Sequence, residues 1–491
     1  MPNLNGGSTP VRLGRGVIVQ APGIVGTVDL LPPGLFGVRA GEEPVATPAL
    51  AGALADHGFE TAHSLQLVAT PLPGAITPPV RGADQRPSLV LEVPDLGAHR
   101  TQVVLLTDET GVVSWHYPQP TGALRAVRFV VPADAVATAA DRHEVPDRGF
   151  VAAIGKKLLS VLVFPLLDPL VRRAAQAVAS RWEATHRPIR LRLFGPENYL
   201  APDGPTVIGA AWSELSGPTL LFLHGTFSTS VGGFGALPCD VLSQLHKQYE
   251  RRTIAFDHPT LSVDPLANVD SLVALVPPGI RLSVDIVAHS RGGLVARALA
   301  AAGEADPLFP IAVRRIVYVG TPNAGTALTD AKHLAEMLDR VSTMLNLVPD
   351  GPWSVVTDVL DGVLTVVQVL AQGATGGLPG LQAMDPAGEW LPTLGARAQP
   401  RMEQFGINAD FEPDGGLLRL LRLGDTIVDR VFSKLANDVI VPSDAVFHAS
   451  GAAGLPVPPE NRLSFAGGHK VWHCSYFSQP ETGEHLKRWL K

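Results

Sequence analysis

Cysteine, clustered positive charge and metal-ligand motifs are all scarce in this chain. Only Cys239 and Cys474 occur in 491 residues, which excludes a fold built on a disulfide framework, and we expect both thiols to be unlinked. The 39 Lys and Arg against 46 Asp and Glu give a net charge of −7. With no basic cluster we expect no nucleic-acid partner, and with no metal-ligand spacing we expect no metal.

Long apolar runs are missing as well. The most apolar stretch, residues 158–171, is shorter than a membrane span and is interrupted by Pro165, Asp168 and Pro169. We interpret it as a buried or interfacial helix, which leaves open a peripheral membrane or protein contact through the N-terminal part. The first residues contain no apolar core behind a basic start, so we expect a cytoplasmic protein.

The sequence is nevertheless apolar enough for large cores. Hydrophobic residues make up 46% of it and charged residues 17%, and 491 residues exceed one compact core, so two or three domains are expected. Residues 1–145 alternate short apolar runs with Pro and Gly clusters, which predicts a β-rich, sandwich-like domain. The sequence does not indicate what this domain does. Residues 146–188 are predicted to form a connecting helix that Pro188 ends.

From residue 189 onward, predicted strands alternate with predicted helices. The strands are near-continuous aliphatic runs, which is typical of parallel strands buried on both faces. We place them at residues 219–225, 252–258, 283–290, 315–321, 426–432 and 462–469. Residues 189–491 are therefore predicted to form an α/β domain with a doubly wound, mostly parallel sheet.

The strongest motif is Ala288-His289-Ser290-Arg291-Gly292, between an apolar strand and a run of good helix formers. It matches the G-x-S-x-G nucleophile elbow with Ala in the first position. The elbow needs small neighbours because the serine sits on a sharp turn where strand and helix pass closely. Ser290 is therefore the candidate nucleophile.

A nucleophilic serine needs backbone N–H donors for the oxyanion that its attack creates. One donor is expected from the residue after the nucleophile, Arg291. The other is expected from the loop after an earlier strand, where His224 and Gly225 end an apolar run. Thr226 is our candidate for this second donor and Phe227 the alternative.

Enzymes with such an elbow order their triad as nucleophile, acid and histidine along the chain. Asp438 is the candidate acid, with Asp444 as the main rival and Asp429, inside a predicted strand, as a weaker one. The base is expected after the last strand, where His469 and His473 both stand. We prefer His473, from which a short segment leads into the predicted terminal helix, and keep His469 as the alternative.

These motifs together resemble the lipase and esterase branch of the α/β-hydrolase superfamily. The resemblance rests on the AHSRGG elbow, the HG loop and the NDVIVP acid loop, and it covers residues 189–491. It implies an α/β-hydrolase fold and a serine esterase or lipase without a cofactor, acting on a small acyl ester or a lipid. Nothing is implied for residues 1–145.

The segment between the fourth predicted strand and the acid loop is far longer than a crossover connection. Its apolar residues recur at helical spacing from residue 334 to 348, and residues 354–373 are apolar almost all round. In view of the resemblance, we interpret residues 324–405 as a helical cap over the site. A large apolar cap favours a hydrophobic acyl group.

The sequence therefore predicts a serine hydrolase that cleaves carboxylic esters through an acyl-enzyme. Two alternatives stay open. An acyltransferase would use the same triad with an alcohol in place of water. A non-catalytic binding or scaffold protein would keep the hydrolase body and contact a partner through its N-terminal domain, although the presence of Ser290, Asp438 and His473 argues against it.

Overall fold

The computed structural model describes an N-terminal β-sandwich and a C-terminal α/β domain. The described residues are 2–32, 48–71, 88–97, 99–108, 112–119, 126–132, 155–165, 175–326, 334–347, 353–371, 378–395, 402–411, 436–449, 455 and 457–491.

The N-terminal part consists of two antiparallel sheets. Its described strands are β1 (Asn3–Asn5), β2 (Val11–Gly14), β3 (Val17–Gln20), β4 (Ile24–Leu31), β5 (Glu60–Pro71), β6 (Ser88–Pro94), β7 (Arg100–Asp108), β8 (Val113–His116), β9 (Ala126–Pro132) and β10 (Gly155–Pro165). The larger sheet has the order β1-β4-β5-β10-β7-β8 and the smaller one β2-β3-β6-β9. Leu67 and Val161 of the larger sheet meet Leu91 and Phe129 of the smaller sheet in one core, as in a sandwich.

Residues 155–165 form strand β10, not the helix that the sequence predicts. β10 pairs antiparallel with β5 and β7 in the middle of the larger sheet. Leu159 and Val161 face the sandwich core, whereas Leu162 and Phe164 join a second core on the other face. A strand buried on both faces lacks a polar side, so periodicity alone does not distinguish it from a buried helix. The predictions of a connecting helix over 146–188 and of a buried helix over 158–171 are therefore wrong for residues 155–165, whereas Ala175–His186 does form a helix just before Pro188.

The C-terminal part is built on a seven-stranded sheet. Its strands are β11 (Arg190–Leu193), β12 (Pro218–Leu223), β13 (Thr253–Asp257), β14 (Leu282–His289), β15 (Ile311–Val319), β16 (Glu403–Ala409) and β17 (Arg462–Phe465). Their order is β11-β13-β12-β14-β15-β16-β17, with β11 antiparallel to β13 and the other neighbours parallel. This mostly parallel sheet confirms the predicted α/β class.

Helices pack on both faces of this sheet and extend beyond it. The described helices of the whole chain are α1 (Pro48–Asp56), α2 (Ala175–His186), α3 (Ala211–Glu214), α4 (Ser230–Phe234), α5 (Cys239–Gln248), α6 (Pro265–Leu275), α7 (Gly292–Ala305), α8 (Leu334–Leu347), α9 (Trp353–Ala371), α10 (Pro379–Gln382), α11 (Trp390–Gly395) and α12 (Pro480–Trp489). Leu221 and Leu223 share a core with α6 and α7, whereas Leu220 and Phe222 of the same strand share one with α5 and α12. None of the described helices is both long and apolar enough to cross a membrane.

Most strands predicted for this sheet are present as β12, β13, β14, β15 and β17. The predicted strand at residues 426–432 lies outside the described residues. Strands β11 and β16 are not predicted, and the expected end of the cap at residue 405 falls inside β16. β16 contains Gly406 and Asn408, two residues that are depleted in strands, and its place between β15 and β17 supplies the pairing that overrides this local preference.

The sandwich packs directly against α8 and α9, two helices of the segment that we interpret as a cap. Apolar residues of β7, β8, β10 and α1 share one core with both cap helices. The backbone N–H of Trp115 donates to the Asp339 carboxylate at 2.7 Å, and its indole Nε1 donates to Ser342 Oγ at 3.0 Å. On the same helix, Thr343 Oγ1 accepts from the Val113 N–H at 3.0 Å.

Replacing Trp115 tests this interface. Trp115→Phe removes the indole donor, and we expect the free energy of unfolding to fall by about 1 kcal/mol. Trp115→Ala also leaves a cavity, and we expect a fall of about 3–5 kcal/mol. Urea denaturation measures both. Leu308→Ala, at a side chain 77% exposed, is the control, and a Trp115→Ala variant as stable as this control would contradict the interface.

Candidate active site

Ser290 lies where β14 ends and α7 begins. Its backbone φ is +53°, in the left-handed region that non-glycine residues rarely adopt, and it is buried. A Cβ at Gly292 would lie 2.3 Å from the Leu223 carbonyl oxygen, and one at Gly293 would lie 2.3 Å from the Thr321 side chain. The close crossing of helix and strand therefore requires glycine at both positions, which is the steric condition for a nucleophile elbow.

The structure brings Ser290, His473 and Asp438 together from distant parts of the chain. His473 Nε2 lies 2.9 Å from Ser290 Oγ, and His473 Nδ1 lies 2.8 Å from Asp438 Oδ2. The backbone N–H of His473 also donates to the Asp438 carbonyl at 3.0 Å. All three side chains are buried, with Asp438 only 1% exposed. This arrangement lets an imidazole accept a proton from Ser290 while a carboxylate orients its other nitrogen.

Two loop amides and a tyrosine complete the partners of Asp438. Its Oδ1 accepts from the backbone N–H groups of Ile440 at 3.0 Å and Val441 at 2.7 Å. Its Oδ2 accepts from the Tyr476 hydroxyl at 2.8 Å as well as from His473. Burial and the Asp438 charge raise the pKa of Tyr476 well above its usual value, so the phenol stays protonated as a donor. Sequence reasoning missed Tyr476, whose only signal is its closeness to His473 along the chain.

The rival candidates lie apart from this group. His469 ends the short 3-10 helix Gly467–His469, its side chain is exposed, and its ring packs against Phe465 at 5.8 Å between centroids. Asp444 is exposed in the 3-10 helix Ser443–Val446. Asp429 lies outside the described residues.

The loop after β12 lies directly against Ser290. A Cβ at Gly225 would lie 2.5 Å from Ser290 Cβ, so only glycine permits this approach. Arg291 is the N-cap residue of α7, where backbone N–H groups have no partner within the helix. Among the described residues, none accepts a hydrogen bond from the backbone N–H of Thr226 or of Arg291. These two amides are therefore available to a ligand.

Phe227, the alternative donor, is already engaged. Its backbone N–H donates to Thr260 Oγ1 at 3.4 Å, and its φ is +63°. Helix α9 crosses immediately above it, since a Cβ at Gly362 would lie 2.6 Å from Phe227 Cα. The amide of Phe227 thus holds the loop in place rather than facing a ligand.

Three further histidines surround the site in structural roles. His289 Nε2 donates to the His473 carbonyl at 2.9 Å, and burial and the neighbouring His473 lower the pKa of His289 to about 3. A neutral ring therefore supports the loop that carries His473. His224 Nε2 accepts from the backbone N–H of His258 at 3.2 Å. Among the described residues, no group of three or more His, Cys, Asp or Glu is arranged to hold a metal ion.

A small cavity of about 50 Å³ lies over Ser290 and His473. Its wall opposite these residues is apolar and comes mainly from the cap: Met337, Val341, Val359, Leu381 and Met384. Typical ligand sites measure about 300–1,000 Å³, so this one is nearly closed. Residues of α8, α9 and the segment around α10 thus cover Ser290.

The two cysteines are predicted to differ in reactivity. Burial and the nearby Asp438 charge raise the pKa of Cys474 to about 12, so its thiol stays protonated below that pH, whereas Cys239 is exposed. We expect iodoacetamide at pH 8 to alkylate Cys239 first, because the thiolate is the reactive form. Peptide mass spectrometry measures both sites, and Cys239→Ser should abolish the fast phase. Equal labelling of Cys474 in the folded protein would contradict the prediction.

Comparison with solved structures finds several similar chains. One is the lipase BlEst2 from Bacillus licheniformis in its propeptide form, at 16% identity over 56% of this chain and 50% of that chain, with a TM-score of 0.33. Another is the phospholipase PlaB from Legionella pneumophila, at 12% identity over 47% of this chain and 45% of that one, with a TM-score of 0.31. A third is lipase 1 from Pelosinus fermentans, at 11% identity over 55% and 97% of the two chains, with a TM-score of 0.35.

The match spans about half the length of the first two of these proteins. No curated protein matches the sequence significantly. Residues 186–491, more than half of the chain, match the family described as Domain of unknown function (DUF7379). This range contains the elbow, the acid loop and His473, and the chain belongs to the DUF7379 family.

Proposed function

We propose that this chain is a serine hydrolase that cleaves carboxylic esters through Ser290, His473 and Asp438. The observation that carries the proposal is the continuous pair of hydrogen bonds, 2.9 Å from Ser290 Oγ to His473 Nε2 and 2.8 Å from His473 Nδ1 to Asp438 Oδ2. A serine hydroxyl is a weak nucleophile unless an adjacent base accepts its proton. The left-handed elbow at Ser290 presents that hydroxyl to the cavity and supports the same role.

In the first half-reaction, Ser290 Oγ attacks the acyl carbon and His473 Nε2 accepts the hydroxyl proton. The carbonyl oxygen becomes an oxyanion, to which the backbone N–H groups of Thr226 and Arg291 donate. Asp438 holds the Nδ1–H tautomer of His473 and stabilises the imidazolium. The intermediate then collapses, and His473 returns the proton to the departing alkoxide. The alcohol leaves and the acyl group stays on Ser290.

In the second half-reaction, water attacks the acyl-enzyme. His473 Nε2 removes one proton from the water as its oxygen bonds to the acyl carbon, and the same two amides bind the new oxyanion. Collapse breaks the bond to Ser290 Oγ, which recovers its proton from His473. An alcohol that replaced water in this step would complete acyl transfer.

The cavity favours an uncharged, apolar acyl group. Its cap wall consists of aliphatic and methionine side chains, which do not compensate a buried charge. Because the cavity is about 50 Å³, short acyl chains need the least displacement of α8 and α9. We therefore propose small apolar acyl esters, or a lipid ester once the cap is displaced, as the substrate class.

Removal of the nucleophile is the first test. Ser290→Ala should lower kcat on p-nitrophenyl acetate or butyrate by about 10⁶-fold, because it removes the hydroxyl that is paired with His473 Nε2. A fluorophosphonate probe should label the wild type at Ser290 and leave the variant unlabelled. A Ser290→Ala enzyme that keeps most of its activity would refute the proposal.

Substitutions of His473 and His469 form a matched pair that tests which histidine is the base. His473→Ala should lower kcat by about 10⁴–10⁶-fold, since it removes the proton acceptor of Ser290. His469→Ala, at an exposed ring, should leave kcat within about two-fold of the wild type. The reverse result would move the base to His469.

Cap side chains should control the preferred chain length. Met384 lines the cavity with its side chain 5% exposed, and Met384→Ala removes that part of the wall. We expect the ratio of kcat/KM for p-nitrophenyl octanoate to that for acetate to rise about ten-fold, since each accommodated methylene contributes about 0.8 kcal/mol. Met402→Ala, at a partly buried side chain that packs against the core beneath α6 and α7 and does not line the cavity, is the control. An unchanged ratio would place the acyl group elsewhere.

A further inference from the structure

Glu183 is a buried carboxylate outside the triad that has no role in the scheme above. It lies on α2, just before the range that matches the family, and it is 1% exposed. It points into the loop that follows β13. Its Oε1 accepts from the backbone N–H groups of Thr260 at 2.5 Å and Leu261 at 2.8 Å. Its Oε2 accepts from the Ser262 N–H at 2.9 Å and the Ser262 hydroxyl at 2.6 Å.

Only an anionic acceptor suits this position. Three consecutive backbone N–H groups converge on one side chain, as in the anion-binding nests of main-chain amides. An amide side chain would place its own N–H donors against at least one of these donors. The carboxylate therefore fixes the conformation of residues 260–262.

The loop fixed by Glu183 is bonded to the residues beside both oxyanion donors. Thr260 Oγ1 accepts from the backbone N–H of Phe227, the neighbour of Thr226. One residue beyond the loop, the Val263 carbonyl accepts from Arg291 Nη2 at 2.6 Å. Two sets of contacts thus connect the carboxylate to the oxyanion donors. One passes through the loop after β12 to Thr226, and the other passes through the elbow to Arg291.

The charge of Glu183 also faces the buried Arg291 guanidinium. Burial lowers the pKa of Arg291 to about 10, while the negative charges of Glu183 and Asp264 act in the opposite direction. Arg291 is fully buried, and its Nε donates to the Gly380 carbonyl of the cap at 3.0 Å. An uncompensated charge at this depth is unfavourable, so the carboxylate helps to keep the Arg291 side chain, and with it the start of α7, in place.

We propose that Glu183 is a positioning residue for the oxyanion hole, acting through residues 260–262 on the amides of Thr226 and Arg291. The inference rests on the proposed function. It follows that α2, which lies between the sandwich and the α/β domain in sequence, contributes to the site through a residue, Glu183, that precedes the matched range. Preorganised donors are effective only when their geometry is held within about 0.5 Å. A residue such as Glu183, which holds the loop beside the two amides, therefore affects how well they stabilise the oxyanion.

The test compares ester and thionoester substrates in the full chain. A thionoester develops its negative charge on sulfur, a weak acceptor that gains little from the two amides. Glu183→Gln should lower kcat on p-nitrophenyl acetate by about 10–100-fold with KM changed by less than about two-fold, because the lost stabilisation is specific to the transition state. The thionoester rate should fall much less, so the ester-to-thionoester ratio should drop about ten-fold. Glu183→Asp, which keeps the charge, should recover part of the ratio.

Asp285→Asn is the matched control for losing a buried carboxylate. Asp285 is fully buried five residues before Ser290 on β14, and it accepts from the Tyr249 hydroxyl at 2.6 Å. Its variant should lower stability but leave the ester-to-thionoester ratio unchanged. Thr260→Val removes the acceptor of the Phe227 amide and should lower the ratio even if Glu183→Gln does not fold.

Ester and thionoester rates that fall in parallel in the Glu183 and Thr260 variants would overturn the inference, because they indicate only a loss of folded enzyme. An unchanged ester rate in both variants would also overturn it. Ser290→Ala is assayed alongside: if that variant stays active, the proposed function itself fails. If it is inactive while the Glu183 and Thr260 variants retain the wild-type ratio, only the role of Glu183 fails.

Discussion

The left-handed backbone at Ser290 is the constraint on which the rest of the site depends. A residue with φ of +53° is held there only because its surroundings leave no alternative. Those surroundings are glycines: Gly225 lets the preceding loop touch the serine, and Gly292 lets α7 cross β12. The same crossing puts the N-cap residue of α7, Arg291, directly after Ser290. A side chain at either glycine would separate the elements that position Ser290 and the amides of Thr226 and Arg291.

Asp438 and His473 are held in place by hydrogen bonds from residues close to them in sequence. Asp438 sits in a loop whose own amides bond one carboxylate oxygen, which leaves the other oxygen for His473 and Tyr476. His289, next to the nucleophile in sequence, supports the loop of His473 through a carbonyl. The elbow, the acid loop and the loop of His473 are therefore hydrogen-bonded to one another, and the site packs as one unit.

The N-terminal part of the chain is connected to this unit by packing as well as by sequence. The sandwich shares an apolar core with α8 and α9, and those helices supply the wall of the cavity. Helix α2 adds a carboxylate to the loop after β13. A displacement of the sandwich or of α2 would therefore act directly on α8, α9 and the loop after β13.

Local sequence determined the elements whose signal lies within a few residues: the aliphatic strands β12 to β15, the small residues around Ser290 and the candidates Asp438 and His473. Four features were decided only by tertiary structure. β10 was mistaken for a helix because burial on both faces removes the polar side that marks a strand. β16 forms because its neighbours complete the pairing. Tyr476 and Glu183 acquire their partners only through folding, because the groups that they bond are 38 and 77–79 residues away along the chain.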